Sequence, residues 1–222
     1  MASERFEKIK KLLSQRQPDL TVLIEDVVKP HNLAAIARTC DAVGIPEVHA
    51  VSTMRGLRLS QMAAGGIRKW VQLHKHATTE DAFKQLKQNN MQLIVTHLSD
   101  DTIDYTEVDY TKPTAIIAGS EFEGVSEYAV KNADHCISIP MLGMVQSLNV
   151  SAAMSIILYE AQKQRAKAGL YDTRRIDDET YNTKLFEYTH PKVTQFCKEH
   201  KQNYPEMDDE GEIIGNILQI EK

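Results

Sequence analysis

Leu20-Thr-Val-Leu-Ile-Glu-Asp-Val-Val28, stopped by Lys29-Pro30, and Thr114-Ala-Ile-Ile-Ala118, stopped by Gly119, are the stretches that decide the fold. Both are almost wholly apolar and rich in β-branched residues, and neither alternates with polar residues. Such strands have no face to show to water, so helices must cover the sheet on both sides. The segments around them agree. Asn32 is a good N-cap for a helix Leu33 to Val43, which Gly44 ends. Strands are expected at Pro46 to Val51, Trp70 to His74, Met91 to Leu98 and His135 to Ile139, with helices from Thr78 or Thr79 through Lys87 and from Ser126 to Asn132. The longest helix is expected from about Leu148 to Lys167, with Gly169 as its stop. Alternation of this kind predicts an α/β fold, a parallel sheet covered by helices on both faces. At the N-terminus, Phe6, Ile9, Leu12 and Leu13 are spaced as one face of an amphipathic helix, and the charged, Tyr-rich part after Leu170 reads as a helical extension. The predicted organisation is an N-terminal extension (1–19), a core domain (20–169) and a C-terminal extension with an acidic tail (170–222).

The chain has 222 residues, of which 42% are hydrophobic and 26% charged, enough for one well-buried core. No run approaches the roughly 18 to 20 uncharged apolar residues of a membrane helix, and the first residues carry no signal-peptide core. Cys40, Cys136 and Cys197 form no CxxC pair, which argues against a zinc ribbon or a disulfide scaffold. A cytoplasmic location is therefore expected. The net charge of −5 argues against a nucleic-acid partner only until it is located. Glu206 to Lys222 alone carries it, leaving a neutral body in which Val51 to Lys75 has five bases and no acid, and Ala161 to Arg175 five bases against Asp172. Screening confines such fields to about 10 Å, so local basic patches bind phosphate whatever the total.

The common cofactor signatures are absent. No strand-to-helix turn carries GxGxxG, there is no GxxxxGK[ST], and the residues about Ser147 read MVQSLN rather than GxSxG. His74 and His76 lie two apart with no third ligand implied, so a surface or packing role is expected for them and no metal. Cys40 sits in a small-residue helix and reads as a packing residue.

Three segments carry chemistry. In Asn32-Leu-Ala-Ala-Ile-Ala-Arg38 the Arg is the only charge among small and apolar residues, so it should either pair with an acid or meet an anion. In Ile116-Ile-Ala-Gly119-Ser-Glu121-Phe-Glu123-Gly124-Val-Ser126 a strand runs into two glycines, either a tight turn or a place where a ligand nears the backbone. In Ile139-Pro-Met141-Leu-Gly143-Met-Val-Gln-Ser147-Leu-Asn149-Val-Ser151 a Pro- and Gly-containing loop leads into a helix N-terminus, with free N–H groups, Ser147 and Asn149 as donors and Met141 and Leu148 as apolar walls.

Together, and in this order, the three segments resemble the three motifs of the SPOUT methyltransferases, in particular the SpoU branch of RNA ribose 2′-O-methyltransferases. Arg16-Gln-Pro-Asp-Leu-Thr21, His31-Asn32, Tyr204-Pro-Glu and Asp209-Glu-Gly-Glu212 are similar to stretches of the tRNA guanosine-18 enzymes of that branch, so the likeness spans nearly the whole chain. Ser120 and Phe122 depart from the residues common there. The resemblance implies a deep trefoil knot over about 114–167, S-adenosyl-L-methionine as cofactor, a homodimer, and methyl transfer to the 2′-hydroxyl of a D-loop guanosine (position 18) in tRNA. Alternatives are another RNA target (rRNA or a different tRNA nucleotide) and a non-catalytic RNA-binding relative. It also implies Arg38, Asn32, Glu121, Ser147 and Asn149 as catalytic residues and Thr96, Leu98, Gly119, Ile139, Met141 and Leu148 around the cofactor. For tRNA binding it implies Arg5, Lys8, Lys11 and Arg16 on the first helix, Arg55, Arg58 and Lys69 in the basic loop, and Lys163 and Arg165 on the long helix. No metal is needed.

Overall fold

The computed structural model describes residues 2–27, 29–51, 69–99, 101–120 and 123–215. Its chain forms two compact units, Gln17–Leu170 and a second made of both termini, Met1–Arg16 with Tyr171–Lys222.

In the first unit, among the described residues, seven parallel strands make one sheet: β1 (Leu20–Glu25), β2 (Glu47–Val51), β3 (Gln72–His76), β4 (Gln92–Thr96), β5 (Ile103–Asp104), β6 (Thr114–Ala118) and β7 (His135–Ser138). Their spatial order is β3-β2-β1-β6-β4-β7-β5. Every residue of β1 and β6 is buried, as their unbroken apolar runs require. They pair in the centre, Leu20 opposite Thr114 through Ile24 opposite Ala118. The expected β3 lies two residues later than Trp70 to His74, because pairing of Gln72 with Glu47 sets its register where the hydrophobic pattern is weak. The two-residue β5, in a polar stretch, has no pattern from which to read it.

The two faces have separate cores. On one, Leu33, Ile36, Ala37 and Cys40 of α2 (Pro30–Ala42) meet Met154, Ile157, Leu158 and Ala161 of α5 (Val150–Lys167) over Val22, Ile24, Ile94 and Ile116. On the other, Ala82, Phe83 and Leu86 of α3 (Thr79–Gln88) and Ala129 of α4 (Glu127–Asn132) cover Leu23, Leu93, Val95 and Ile117. Thr78, Ser126 and Asn149 cap α3, α4 and α5 by accepting N–H bonds from Asp81, Ala129 and Ser151. Asn32, expected to cap α2, does not. Pro30 lacks an N–H and is pre-set for a first helical position, so α2 begins there and Asn32 lies within its first turn.

Gln17–Leu170 is tied to its own start by Arg165. Fully buried in α5, its guanidinium donates to Tyr110 O (2.8 Å), Gln17 Oε1 (3.0 Å), Asp19 Oδ1 (2.7 Å), Asp19 O (3.2 Å) and Lys112 O (2.9 Å). In the terminal unit, α1 (Glu4–Ser14) buries Phe6, Ile9 and Leu13, while α6 (Asp178–Thr189) and α7 (Pro191–His200) bury Phe186 and Cys197. Phe6 packs so closely on Gly211 that a Cβ there would lie 2.6 Å from the ring.

His74 and His76 are half-buried on β3 and stack on a third histidine, His49 of β2, at ring-centre distances of 5.1 and 5.0 Å. His49 Nδ1 is 2.7 Å from His76 Nε2, and His74 Nε2 lies 2.9 Å from Glu47 Oε2. Among the described residues no group of His, Cys, Asp or Glu side chains is arranged to hold a metal ion. Burial first, then the neighbouring His76 and His74, lower the His49 pKa to about 4. The unfolded chain therefore binds a proton there that the folded chain refuses, between the ordinary value near 6.5 and about 4. Stability from this group is whole above pH 6.5 and drains away as pH falls toward 4, by at most about 3 kcal/mol. Urea unfolding across pH 4 to 7 should show that slope, and His49→Leu should flatten it.

Candidate active site

Because all seven strands are parallel, every strand delivers its following loop to the same edge of the sheet. The register there is close: Ile24 stands beside Ala118, Val95 beside Ile117, and Thr96 beside Ile137. The chains leaving β1, β6, β4 and β7 thus emerge side by side, at strand spacings of about 5 Å. After β1 the chain goes to α2 on one face, whereas after its neighbour β6 it goes to α4 on the other. Such a reversal opens a crevice between the two loops, the usual place for a ligand in an open α/β sheet.

The three motif segments converge on this edge. Asn149 caps α5 with its carbonyl oxygen, which accepts from Ser151 N (2.9 Å) and Ser151 Oγ (2.6 Å), and its amide donates to Asn32 Oδ1 at 3.2 Å. About two turns on, Thr39 Oγ1 and Ser155 Oγ lie 3.0 Å apart. The first and third motifs are therefore joined side chain to side chain. Had Asn32 capped α2, its Oδ1 would have been spent on its own helix. Arg38 is exposed, about 9 Å further along the α2 axis, and makes no hydrogen bond or ion pair among the described residues. Among the described residues it therefore has no structural ion pair, the simplest alternative for that residue.

The second motif is a tight loop. Ser120 N donates to Gly124 O (2.9 Å) and Gly124 N to Ser120 O (3.1 Å), while Glu123 N reaches Ser120 Oγ (3.0 Å). A Cβ on Gly119 would lie 2.0 Å from Gly124 O, and Gly124 itself has φ +70°, so both glycines are required by the turn. Glu121 lies outside the described residues. Thr96 donates its hydroxyl proton to Ile117 O at 3.1 Å. Leu98 is exposed, and Ile139, Met141 and Leu148 are half-buried along the stretch after β7. Ser147 is exposed and makes no hydrogen bond among the described residues.

Sequence reasoning missed two features. Glu25, at the end of β1, is 5% exposed and accepts bonds from Thr79 Oγ1 and from Ser126 N (2.8 Å). An acid closing an otherwise buried strand was the available signal. The other is a set of exposed apolar side chains, Leu142, Met144 and Val145 in the third loop and Ile156 and Tyr159 on α5. No period distinguishes these from the core residues among which they are written.

Two of the expected tRNA-binding residues are corrected. Arg165 is 0% exposed with all its donor groups engaged, and Arg16 is 2% exposed and bonded to Tyr188, so neither presents a cation to a phosphate. Arg5, Lys8, Lys11, Lys69 and Lys163 are exposed. Arg5 donates to Tyr188 O (3.0 Å), Lys69 lies over the Trp70 ring, and Lys163 pairs with Glu160 (3.1 Å). Arg55 and Arg58 lie outside the described residues.

The SpoU rRNA methylase family model matches residues 19–159, and the model of the SpoU rRNA methylase C-terminal region matches 163–216. The chain belongs to the SpoU methylase family. It is 53% identical over 184 residues to the tRNA (guanosine(18)-2′-O)-methyltransferase of Thermus thermophilus, covering 83% of this chain and 95% of that one. To the Escherichia coli protein of the same name it is 46% identical over 215 residues, 96% of this chain and 94% of the other. Among solved structures, the TrmH/SpoU tRNA modifying enzyme of Aquifex aeolicus superposes with a TM-score of 0.79 at 38% identity, covering 86% and 97% of the two chains. An AdoMet-bound rRNA methyltransferase of Sinorhizobium meliloti superposes with a TM-score of 0.60 at 28% identity, covering 69% and 59%.

The two cations on α5 separate by experiment. Arg165→Ala leaves the Asp19 carboxylate, the Gln17 amide oxygen and three backbone carbonyls without their donor and should cost about 3 kcal/mol in urea unfolding, while Lys163→Ala, on the surface, stays within about 0.5 kcal/mol.

Proposed function

We propose that this protein transfers a methyl group from S-adenosyl-L-methionine to the ribose 2′-hydroxyl of guanosine 18 in the D-loop of tRNA. The observation that carries the reading is the Asn149–Asn32 hydrogen bond at the crevice, which joins the two helices whose motifs define the family, in a chain matched almost end to end by enzymes of that name. The residues present suit the cofactor. Leu98, Ile139, Met141 and Leu148 give apolar surface at strand ends whose backbone N–H and C=O groups can read an adenine edge, and the Gly119–Gly124 turn keeps side chains out of the way.

The bound cofactor supplies the electrophile, a methyl on a sulfonium; an O–C bond forms, the C–S bond breaks, and the hydroxyl proton passes to water. The protein's task is orientation and charge. A guanidinium stays protonated at neutral pH, so Arg38 acts as a donor to the developing alkoxide, held in place by a substrate phosphate, rather than as a base. Asn32, fixed by Asn149, orients the ribose. Glu121 and Ser147 hold the loops and the hydroxyl region.

Arg5, Lys8 and Lys11 on α1, with Arg55, Arg58, Lys69 and Lys163, face tRNA phosphates, and the action is cytoplasmic, where that substrate is. The stretch 114–167 closes the deep trefoil knot; the entry of β6 and β7 between strands from other parts of the chain supports it. Two chains associate through the exposed Leu142, Met144, Val145, Ile156 and Tyr159, since so much large apolar surface beside a site is characteristic of an interface.

Incubation with labelled S-adenosylmethionine and unmodified tRNA should place 2′-O-methylguanosine at position 18; label at another nucleotide, in rRNA alone, or nowhere overturns the reading. Arg38→Ala should lower kcat by roughly 100-fold or more with cofactor affinity retained. Ile156→Glu with Tyr159→Glu should convert a dimer to a monomer in sedimentation.

A further inference from the structure

Glu25 has no part in the methyl transfer proposed, yet this side chain is buried at the end of β1, on the face that α3 and α4 cover. Its Oε1 accepts from the Thr79 hydroxyl at the start of α3, and its Oε2 from the backbone N–H of Ser126, 2.8 Å away. Thr79 is itself 8% exposed. Both carboxylate oxygens are therefore taken by neutral donors, an arrangement that stabilises a buried carboxylate less than a cation would. An apolar residue would fill the end of β1 at lower cost, as Leu23 does two positions earlier on the same face. What the carboxylate adds is a fixed point. Ser126 both ends the second-motif loop and caps α4 through Ala129 N (3.2 Å), so the bond to Glu25 locks the loop's exit to the end of β1. Its entry, Gly119, continues β6 directly beside β1. Between them, the Ser120–Gly124 bonds hold the turn shut but cannot set where the turn as a whole lies.

We infer that Glu25 is a positioning residue that anchors the 119–126 loop and thereby sets the affinity for S-adenosylmethionine, with Thr79 holding the carboxylate in place. The inference rests on the reading of this crevice as the methyl-donor site. Both oxygens of Glu25 are engaged by Thr79 and Ser126, so it should act on donor binding and not on the transfer step.

The test uses the full-length protein, with donor affinity measured by calorimetry and local order by hydrogen exchange of the peptide spanning residues 119–126. Glu25→Ala should weaken donor binding roughly tenfold and speed exchange in that peptide, leaving exchange in α5 and tRNA affinity within about twofold of the starting protein. Glu25→Gln should restore most of the affinity, since its one carbonyl oxygen can still accept from Ser126 N while Thr79 turns its hydroxyl to accept from the amide. Thr79→Val removes one donor without disturbing the Thr78 cap and should give an intermediate loss of about threefold; it stands as the deciding variant if Glu25→Ala does not fold. Unchanged donor affinity in the folded variants overturns the inference, as does faster exchange spread evenly over α5 and the loop. Failure of the unaltered protein to bind the donor at all would instead overturn the reading of the site.

Discussion

The parallel direction of all seven strands is the constraint from which the rest follows. It sends each strand's outgoing chain to one edge, and it makes the order of strands decide which loops are neighbours. With β6 inserted beside β1, segments nearly a hundred residues apart leave the sheet next to each other and depart to opposite faces. Neither loop could form a crevice alone. The hydrophobic burial of β1 and β6 on both faces is what holds this geometry, because a one-residue slip between them would turn an apolar row against the wrong core.

The sheet was legible because its central strands have no choice. A run such as TAIIA can only be satisfied between two layers, so strand type, direction and covering helices follow together. The edges were less legible. β3, with Gln72, Lys75 and three imidazoles nearby, owes its place to pairing with β2, and β5 owes its to β7, which are tertiary facts. The start of α2 shows the same limit on a smaller scale. Asn at a helix start is ordinarily a cap, but Pro30 satisfies the first turn two residues earlier and frees Asn32 for a partner 117 positions away.

The site was legible in its parts and not in its joints. Asn32, Gly119 and Asn149 could be singled out by residue type and spacing, yet nothing in the sequence states that Asn149 bonds Asn32, or that Glu25 bonds Ser126. Both bonds link segments that become adjacent only through the strand order. Charge was the least legible property. Lys163 and Arg165 stand two apart in a basic stretch, and a helix places such residues on different faces: Lys163 reaches solvent while Arg165 points inward.

Arg38 and Arg165 show how little the residue type settles by itself. Each is a guanidinium on a helix of the same face of the sheet. Arg165 is enclosed by carbonyls and one carboxylate from the ends of other segments, so its donors are spent on holding the chain and its charge is neutralised where it lies. Arg38 stands exposed with its donors unspent among the described residues, on a helix whose other charged neighbours are few and whose first turn is fastened to α5. A fork of five N–H groups on a rigid support, with no acid paired to it among the described residues, is suited to receive negative charge. The fold thus holds one chemical group in two states, satisfied within the chain at Arg165 and exposed at Arg38 with no partner among the described residues.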